Sequence, residues 1–410
     1  MGYILFDDGR GKLGPLCDLR ASFEVRSGAV TTHERLTAQL GAEPTGMWVP
    51  AGLAALVRAR HTVPVNELAG VKDAAGGPGG GVLLINGRWT RVNAELPNRL
   101  NTVLVDEHGD VVAARLTWDR VEAFLERLDE KGDAGTFDNG LDKRVVGHAN
   151  LLRRPWELLQ RAEENLEHDL GQMGHLKPLN GSLLGVTVVG RNGVLVSPRA
   201  TVHPHVVFDT SAGPIAIDDG AEVRSMSVVV GPGYVGPNSI VTNHGHIRAG
   251  TIIGPMCKVG GEVNGCVFHG HANKAHSGYL GNSYVGEWVN LGADTITSNL
   301  KNTYSPVQMQ IEVGDAAEAT GMTHLGSIIG DHVKTAIGTR LVTGSCLNTG
   351  AMLAVSMFPP KCVDRFAFLT DKGEQRYDLD KFIEVAEAVM QRRGQQVTGE
   401  LMSRLEGLHG

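Results

Sequence analysis

A short stretch of the sequence, residues 274–299, holds side chains that can bind an amine and take a proton from it. His276 stands two positions after Lys274, Tyr279 follows three residues later, and Asn290 lies further along. An amine attacks a thioester carbonyl only when it is unprotonated, and an imidazole near its natural pKa can remove that proton during the attack. The stretch is therefore a candidate for acyl-transfer chemistry. The ordinary alternative for His276 is a hydrogen-bonded surface side chain.

These polar residues lie between apolar positions that recur every six residues, namely Tyr279, Val285 and Leu291. The same period continues over residues 217–259 and 329–353, with small residues four positions after most of the large aliphatic ones. A period of six fits neither an α-helix nor a strand of a flat sheet. It is the hexapeptide repeat of a parallel β-helix, a three-sided prism in which neighbouring coils can assemble a surface site.

The order of residues in the central stretch resembles a known family. Residues 274–281 read Lys-Ala-His-Ser-Gly-Tyr-Leu-Gly, and residues 289–299 read Val-Asn-Leu-Gly-Ala-Asp-Thr-Ile-Thr-Ser-Asn. This string resembles the acetyltransferase domain of the bifunctional glucosamine-1-phosphate acetyltransferase and N-acetylglucosamine-1-phosphate uridylyltransferase family. The resemblance implies a left-handed β-helix, a homotrimer with sites between neighbouring prisms, and acetyl-CoA as the acyl donor. A sugar phosphate and a nucleotide are the small-molecule partners that it implies.

The resemblance also implies roles for individual residues. His276 would be the catalytic base, and Glu262 the carboxylate that orients its ring. Arg248 would bind the sugar phosphate, because a guanidinium can donate two parallel hydrogen bonds to it. The remaining matches are Lys274, Tyr279 and Asn290 for the substrate and Ala293, Asn299 and Lys301 for acyl-CoA. No metal ligands are predicted in this site.

The chain departs from the family pattern in two places. Asn264 stands where the family has a phosphate-binding Lys, and Lys301 is only approximately at the position of a second Lys. Tyr304 replaces a Tyr that the family carries directly after the position of Asn299. Chemistry similar to acyl transfer is still expected, but the departures leave the identity of the acceptor sugar open.

The N-terminal part predicts an α/β domain of the nucleotidyltransferase type. Strands are expected at residues 3–6, 47–49, 82–85 and 102–105, with helical segments between them, and the glycine-rich residues 76–81 predict a loop.

The loop after the first strand could hold a nucleoside triphosphate with Mg²⁺, because bare backbone N–H groups can approach a phosphate. Its candidate residues are Gly9, Arg10, Gly11, Lys12 and Arg20. The chain departs from the family here too: Asp7 and Asp8 replace small residues, and Asn86 stands near the family's metal-binding Asp. The domain therefore resembles a nucleotidyltransferase with altered catalytic groups, and an ordinary polar turn is an equal alternative for the loop.

Composition narrows the class of protein. The chain has 410 residues, a formal net charge of −7 and no basic stripe, so we expect neither nucleic acid nor membrane as a partner. The N-terminal residues carry acid where a signal peptide needs an apolar run, which predicts a cytoplasmic protein. Five scattered cysteines without a Cys-x-x-Cys pair agree with a reducing compartment: Cys17, Cys257, Cys266, Cys346 and Cys362.

The predicted organisation is a nucleotidyltransferase-like domain at 1–178, a β-helix at 179–365 and a helical tail at 366–410. A helix at 155–170 should join the first two parts, and an amphipathic helix at 378–393 should cap the solenoid or contact a neighbouring subunit. Residues 298–327 break the hexapeptide rhythm and predict a loop excursion.

Two functional alternatives remain open. One is a zinc enzyme of the γ-class carbonic anhydrase type, in which histidines bind the metal across a subunit boundary. Its candidate ligands are His244, His246, His269, His271 and His276. The other alternative is a non-catalytic trimer that binds a nucleotide sugar through its N-terminal domain.

Overall fold

A computed structural model describes residues 2–74, 81–131, 140–149, 151–179 and 184–410. The predicted glycine-rich loop lies, except for Gly81, outside these residues. The described chain forms an α/β domain, a parallel β-helix and a helical tail, which confirms the predicted fold class. No helix in the described ranges combines the length and apolar character that crossing a membrane requires.

The N-terminal domain is built on a six-stranded mixed sheet with the strand order β2-β1-β3-β5-β4-β6. All four predicted strands are confirmed to within one residue at each end. The strands are β1 (Tyr3–Phe6), β2 (Gly46–Trp48), β3 (Val82–Asn86), β4 (Thr102–Val105), β5 (Val111–Leu116) and β6 (Asp142–Val145). β1 to β5 are buried, and the helices are α1 (Thr32–Leu40), α2 (Ala51–Arg60), α3 (Leu68–Ala74) and α4 (Trp118–Lys131). Two short 3₁₀ helices, Gly14–Cys17 and Ser22–Glu24, follow β1.

The predicted connecting helix is α5 (Trp156–Gln172). Pro155 precedes it, and its apolar side chains at helical spacing are buried, except for the half-buried Leu159. This helix and the segment after β1 pack against one wall of the β-helix.

The β-helix has three faces, which the chain visits in a fixed order in each coil. The first face carries Lys177–Pro178, Val194–Val196, Ile215–Ile217, Gly233–Val235, Thr251–Ile253, Val267–Phe268, Tyr284–Val285, Ser327–Ile329, Ser345–Leu347 and Cys362–Val363. The second face carries Thr201–Val202, Glu222–Val223, Ile240–Val241, Lys258–Val259, Asn273–Lys274, Asn290–Leu291, Lys334–Thr335, Met352–Ala354, Ala367–Thr370 and Gly373–Arg376. The third face carries Thr187–Gly190, Val207–Thr210, Val228–Val230, His246–Ile247, Glu262–Asn264 and Tyr279–Gly281, and Ile296–Thr297 pairs with Arg340–Leu341 beyond it.

The hexapeptide prediction is confirmed by the core of this prism. Large aliphatic residues of both predicted runs fill it, and the small residues predicted between them are buried at its corners. The predicted excursion contains a short hairpin, Gln308–Met309 with Glu318–Ala319. Its apolar residues pack with α5 and the segment after β1, so the excursion helps to join the two domains.

The tail contains α6 (Leu379–Gln391), which confirms the predicted amphipathic helix, and α7 (Gly399–His409), which was not predicted. Both helices contribute to one apolar cluster with α2 of the N-terminal domain and with Trp288 and Phe366 of the β-helix. The C-terminal helices thus pack against the N-terminal domain. The first face of the prism is covered, while side chains of the second and third faces remain exposed or half-buried.

Candidate functional site

His276 lies on the exposed corner between the second and third faces. The chain leaves the second face at Lys274, turns through residues 275–278 and enters the third face at Tyr279. The His276 side chain is exposed, and the next residue fixes the turn to the following coil. The Ser277 hydroxyl donates to the Asp294 carboxylate at 2.6 Å, and the Asp294 backbone N–H donates to the Ser277 carbonyl at 3.0 Å. The imidazole therefore stands on a fixed backbone with access to solvent.

A glycine is required in this turn. Gly278 has φ +108°, and a Cβ at this position would lie 2.4 Å from the carbonyl oxygen of Thr295. Any other residue would push this turn away from the next coil.

Lys274, predicted to bind substrate, points into the prism instead. It is the register partner of Val259 and has only 2% of its surface exposed. Its ammonium donates to the carbonyl oxygens of Gly260 and His276, both at 2.9 Å. Burial lowers the pKa of this lysine to about 8. Lys274 is thus too buried for the predicted contact with substrate. Its ammonium instead holds the backbone of His276 in place.

Glu262 and Tyr279 are register partners on neighbouring strands of the third face, and Arg248 directly follows the preceding strand, His246–Ile247. The Arg248 guanidinium donates to the Glu262 carboxylate at 3.0 Å, and both side chains are about half exposed. The structure therefore pairs Glu262 with Arg248 rather than with the ring of His276. The phosphate-binding role of Arg248 stays a prediction.

Tyr279 is half-buried on the outer surface, and Leu280 takes the place in the core that the six-residue period gave to Tyr279. Burial raises the pKa of Tyr279, whose side chain hydrogen-bonds that of Asn264. The ring lies over Gly281, where a Cβ would meet the Tyr279 hydroxyl at 2.5 Å. Tyr279 and Asn264 thus form one wall beside the corner.

Asn290 lies on the second face, across the corner from Tyr279. It is exposed, and its side-chain oxygen accepts a hydrogen bond from Asn273 at 2.6 Å. The residues predicted to contact the sugar are therefore divided between two faces that meet at His276.

The predicted acyl-CoA residues lie in the following coil and the excursion. Ala293 is at the next corner, where its carbonyl accepts from Gly338 N–H at 2.8 Å, and Asn299 donates to Asn282 at 2.7 Å. Lys301 is half-buried near Lys361, whose pKa is lowered by burial and by the Lys301 charge. The two ammonium groups can attract the phosphates of a cofactor.

Several hydrogen-bonded side chains that join these coils were not predicted from the sequence. Asn273 with Asn290, Ser277 with Asp294, and Asn282 with Asn299 are hydrogen-bonded pairs separated by 17 residues. This separation equals the length of the local coil, so a search for polar pairs at that spacing would have found them.

In the N-terminal domain, the loop after β1 uses its own carboxylates to bind its backbone. Asp7 accepts from Gly9 N–H at 3.0 Å and from Ser22 N–H at 2.7 Å, and Asp8 accepts from Arg10 N–H at 3.1 Å. These are the N–H groups that a phosphate would need. Gly11 is explained by packing, since a Cβ there would lie 2.7 Å from Arg88 Cδ.

Arg88 sits between the acidic groups of this loop region and is fully buried. Its guanidinium donates to both oxygens of Asp8, at 2.8 and 2.6 Å, and to Asp110 at 2.9 Å. Asp110 is also paired with Arg10 at 2.9 Å and with Arg153 at 2.7 Å. A Mg²⁺ ion needs carboxylates whose charge is not already neutralised. The residues present do not fit the predicted metal.

Arg20, predicted to belong to the nucleotide loop, instead joins the two domains. It is 2% exposed and lies 2.9 Å from each of Glu287 and Asp331, which belong to the β-helix. Arg20 therefore does not belong to the predicted nucleotide loop, and it forms ion pairs between the two domains instead. Lys12 is exposed.

The histidines of the zinc alternative are divided between two edges of the prism. His269 is buried against Arg26 of the N-terminal domain, and His271 stacks on Trp288. His244 and His246 are exposed near the corner that carries His276. Within the described ranges, no three His, Cys, Asp or Glu side chains are placed to hold one metal ion. The geometry of one chain does not favour this alternative.

Comparison with known proteins agrees with the resemblance. Residues 3–174 match the family model described as sugar nucleotidyl transferase. A bifunctional protein GlmU from Methanococcus aeolicus is 24% identical over 293 residues, which cover 71% of this chain and 60% of the relative. A second GlmU, from Methanococcus maripaludis, is 28% identical over 290 residues, covering 61% of this chain and 69% of the relative.

A third relative is named for both activities. The bifunctional sugar-1-phosphate nucleotidylyltransferase/acetyltransferase from Sulfurisphaera tokodaii is 31% identical over 197 residues, covering 48% of this chain and 46% of the relative. The matched region spans less than two thirds of the Methanococcus aeolicus protein and 48% of a GlmU from Methanococcus vannielii. These comparisons confirm the resemblance that the central string indicates.

Proposed function

We propose that this chain is a transferase of sugar-nucleotide metabolism that moves an acyl group from acyl-CoA to the amine of an amino-sugar 1-phosphate. The observation that carries the proposal is the exposed His276 corner. An arginine and a tyrosine flank it on one face, and an asparagine flanks it on the other. The names of the relatives and the match to a sugar nucleotidyl transferase model support the same substrate class.

Different residues would bind the phosphate, bind the sugar and accept the proton. Arg248 would bind the phosphate, for which its guanidinium can exchange the exposed contact with Glu262, and Tyr279 and Asn290 would contact the sugar. A ring nitrogen of His276 would accept a proton from the amine as the amine nitrogen attacks the thioester carbonyl carbon. The carbon–sulfur bond then breaks, and the departing CoA sulfur takes up a proton. Acetyl-CoA is the proposed donor, held near Lys301.

The proposal does not include metal-dependent nucleotidyl transfer. The carboxylates of the loop after β1 bind their own backbone and the Arg88 guanidinium, so they do not fit a bound metal ion. Acyl transfer and nucleotidyl transfer therefore need separate assays.

The test of the proposed activity is thiol release from acetyl-CoA in the presence of a panel of amino-sugar 1-phosphates. We expect thiol release with at least one of them and a product heavier by one acetyl group. Glucose 1-phosphate, which lacks the amine, is the control and should release no thiol. A protein that releases thiol with no amino sugar, or equally with glucose 1-phosphate, would not be the proposed enzyme.

We further propose that the working form is a homotrimer, in which the second face of one prism lies beside the third face of the next. Both faces are open, and exposed apolar side chains lie along them and their shared corner: Val189, Met226, Ile296 and Ile337. Such packing would bring Asn290 of one subunit to the Arg248 and Tyr279 wall of another.

Mixed trimers test this arrangement. The variants His276→Asn and Asn290→Ala should each lose most of their activity. When the two are co-expressed in equal amounts, random mixing should leave about a quarter of the sites with both native residues. Activity that stays at the level of the single variants would show that one subunit supplies both residues.

A further inference from the structure

Two cysteines stand side by side on the first face of the prism. Cys346 and Cys362 are register partners on neighbouring parallel strands. Neighbouring strands lie about 4.8 Å apart, which is within the range of Cα separations that a disulfide can span. Leu347 and Val363 fill the prism core, so both cysteines point away from it, toward the excursion.

The two thiols differ in reactivity. They share a hydrogen bond, which lowers the pKa of Cys362 and, together with burial, raises that of Cys346. Cys362 is 8% exposed, whereas Cys346 has no exposed surface. Since the thiolate is the reactive form of a cysteine, Cys362 is the group that a small oxidant should attack first.

The other three cysteines lack this arrangement. Burial raises the pKa of Cys257 and Cys266 to about 12, and it also raises that of Cys17. Cys257 contacts the Pro255 carbonyl and Cys266 the Leu280 carbonyl. Cys257 and Cys266 are thus expected to be inert, and Cys257 is a suitable control. Cys17 is half-buried, and the charge of Asp7 adds to the rise in its pKa, so it is expected to react slowly.

Hydrogen bonds from Cys346 and Asn348 lower the pKa of Cys362, whereas burial and the charges of Glu312 and Asp364 oppose this effect. Its sulfur lies 3.4 Å from the Ile311 carbonyl oxygen and 3.8 Å from the side-chain nitrogen of Asn348. The amide donates to the sulfur, and the neighbouring Lys361 is exposed. The pair therefore lies just below the surface, where the excursion meets the final coils.

We propose that Cys346 and Cys362 form a redox-sensitive pair that a peroxide oxidises to an intramolecular disulfide. The Cys362 thiol reacts with hydrogen peroxide, its sulfur gains the hydroxyl oxygen, and one water leaves. The Cys346 sulfur then attacks the sulfenic sulfur of Cys362, the S–S bond forms, and a second water leaves. Two thiols and one peroxide thus give one disulfide and two waters.

The disulfide would close the chain between residues 346 and 362 and tie the last strand of the first face to the strand before it. The same region holds the excursion through the ion pairs of Arg365 with Asp18 and Glu312. Oxidation should therefore stiffen the junction between the final coils, the excursion and the N-terminal domain.

The test is peroxide treatment of the folded full-length protein, followed by unfolding, alkylation and peptide mass spectrometry. We expect the number of alkylated thiols to fall from five to three and a linked peptide pair lighter by two hydrogen atoms. A reducing thiol should restore all five.

Variants assign the order of the steps. Cys362→Ser should protect Cys346 from peroxide, and Cys346→Ser should leave a sulfenic acid at Cys362 that dimedone traps. Cys257→Ser should still form the disulfide. The proposal would be overturned if Cys346 and Cys362 both remained alkylatable after peroxide, or if they linked no faster in the folded than in the unfolded protein. None of these readouts depends on acyl transfer.

Discussion

Lys274 occupies a place inside the prism that an aliphatic residue holds in the coils on either side. Its register partner Val259 and the next inward residue, Leu291, belong to the apolar core. A buried ammonium is costly unless its hydrogen bonds are satisfied, and here two carbonyl groups satisfy it. One of these carbonyl groups belongs to His276, so the buried ammonium fixes the backbone that carries the candidate base.

The variant Lys274→Met should lower kcat for acyl transfer about ten-fold and change KM little, because a base that is displaced by a fraction of an ångström loses its alignment. The pH profile is a second readout. The ammonium has a pKa of about 8, so its charge and the strength of its hydrogen bonds decrease as the pH rises above 8. The native kcat should then fall, and the variant should lack this decrease.

Lys334→Met is the matched control for this prediction. The Lys334 ammonium also binds two backbone carbonyls, those of Trp288 and His332, at 2.7 and 3.2 Å, and burial lowers its pKa to about 8. Its ammonium binds at the corner between the first and second faces, not at the His276 corner, although its backbone is the register partner of Asn290. If both variants lost activity equally, Lys274 would have only a structural role.

The sequence predicted which residues share the corner but not which way Lys274 points. The hexapeptide period assumes coils of constant length. On the second face, register partners are 18 residues apart from Val241 to Val259 but 15 apart from Val259 to Lys274. The shorter coil turns Lys274 inward and brings Leu280 instead of Tyr279 into the core.

At the scale of elements, the loop after β1 has the position of a phosphate-binding loop but not its free backbone N–H groups. Strand, turn and glycines stand where a phosphate loop would have them, and the predicted strand is confirmed. The side chains disfavour phosphate binding, because Asp7 and Asp8 accept hydrogen bonds from the loop N–H groups and Arg88 binds Asp8. The departures from the family at Asp7, Asp8 and Asn86 were visible in the sequence. The pairing with Arg88, 80 residues away, was not.

We predict that nucleoside triphosphates with Mg²⁺ bind this domain with dissociation constants weaker than about 1 mM. The physical reason is that a triphosphate would have to displace carboxylates already paired with guanidinium groups. Equilibrium dialysis with each of the four common nucleoside triphosphates measures this directly. Micromolar binding that is weakened by Lys12→Ala would contradict this prediction. It would support the nucleotide-binding role that the resemblance implies for the loop.

At the scale of the molecule, the two domains and the tail form a connected body. The division into an α/β part and a β-helix could be predicted because each has its own residue period. The contacts between them could not, since they depend on pairs hundreds of residues apart, such as Arg20 with Glu287 and Asp331. The return of α7 to α2 likewise depends on the tertiary fold.

Arg20→Met should destabilise the protein by about 3–5 kcal/mol at pH 8, because it leaves two buried or half-buried carboxylates without their cation. Burial raises the pKa of Asp331 from 3.8 to about 6. The folded protein therefore holds a proton between these pH values that the unfolded chain has lost, and Asp331 favours the fold more at pH 5 than at pH 8. The loss in the variant should be smaller at pH 5.

Denaturant unfolding at both pH values measures this difference. Arg248→Met is the control, because its pair with Glu262 is about half exposed and should contribute less than about 1 kcal/mol. Equal losses in the two variants, or a larger loss for Arg20→Met at pH 5, would disagree with an interdomain role for Arg20.

The most direct test of the whole account compares His276→Asn with His244→Asn in the thiol-release assay, using the best amino-sugar 1-phosphate and acetyl-CoA. Both histidines are exposed at corners between the second and third faces, so the two changes perturb the surface alike. We expect His276→Asn to lower kcat at least about 100-fold, while His244→Asn stays within about two-fold of the native enzyme. Full activity in His276→Asn, or an equal loss in both variants, would contradict it.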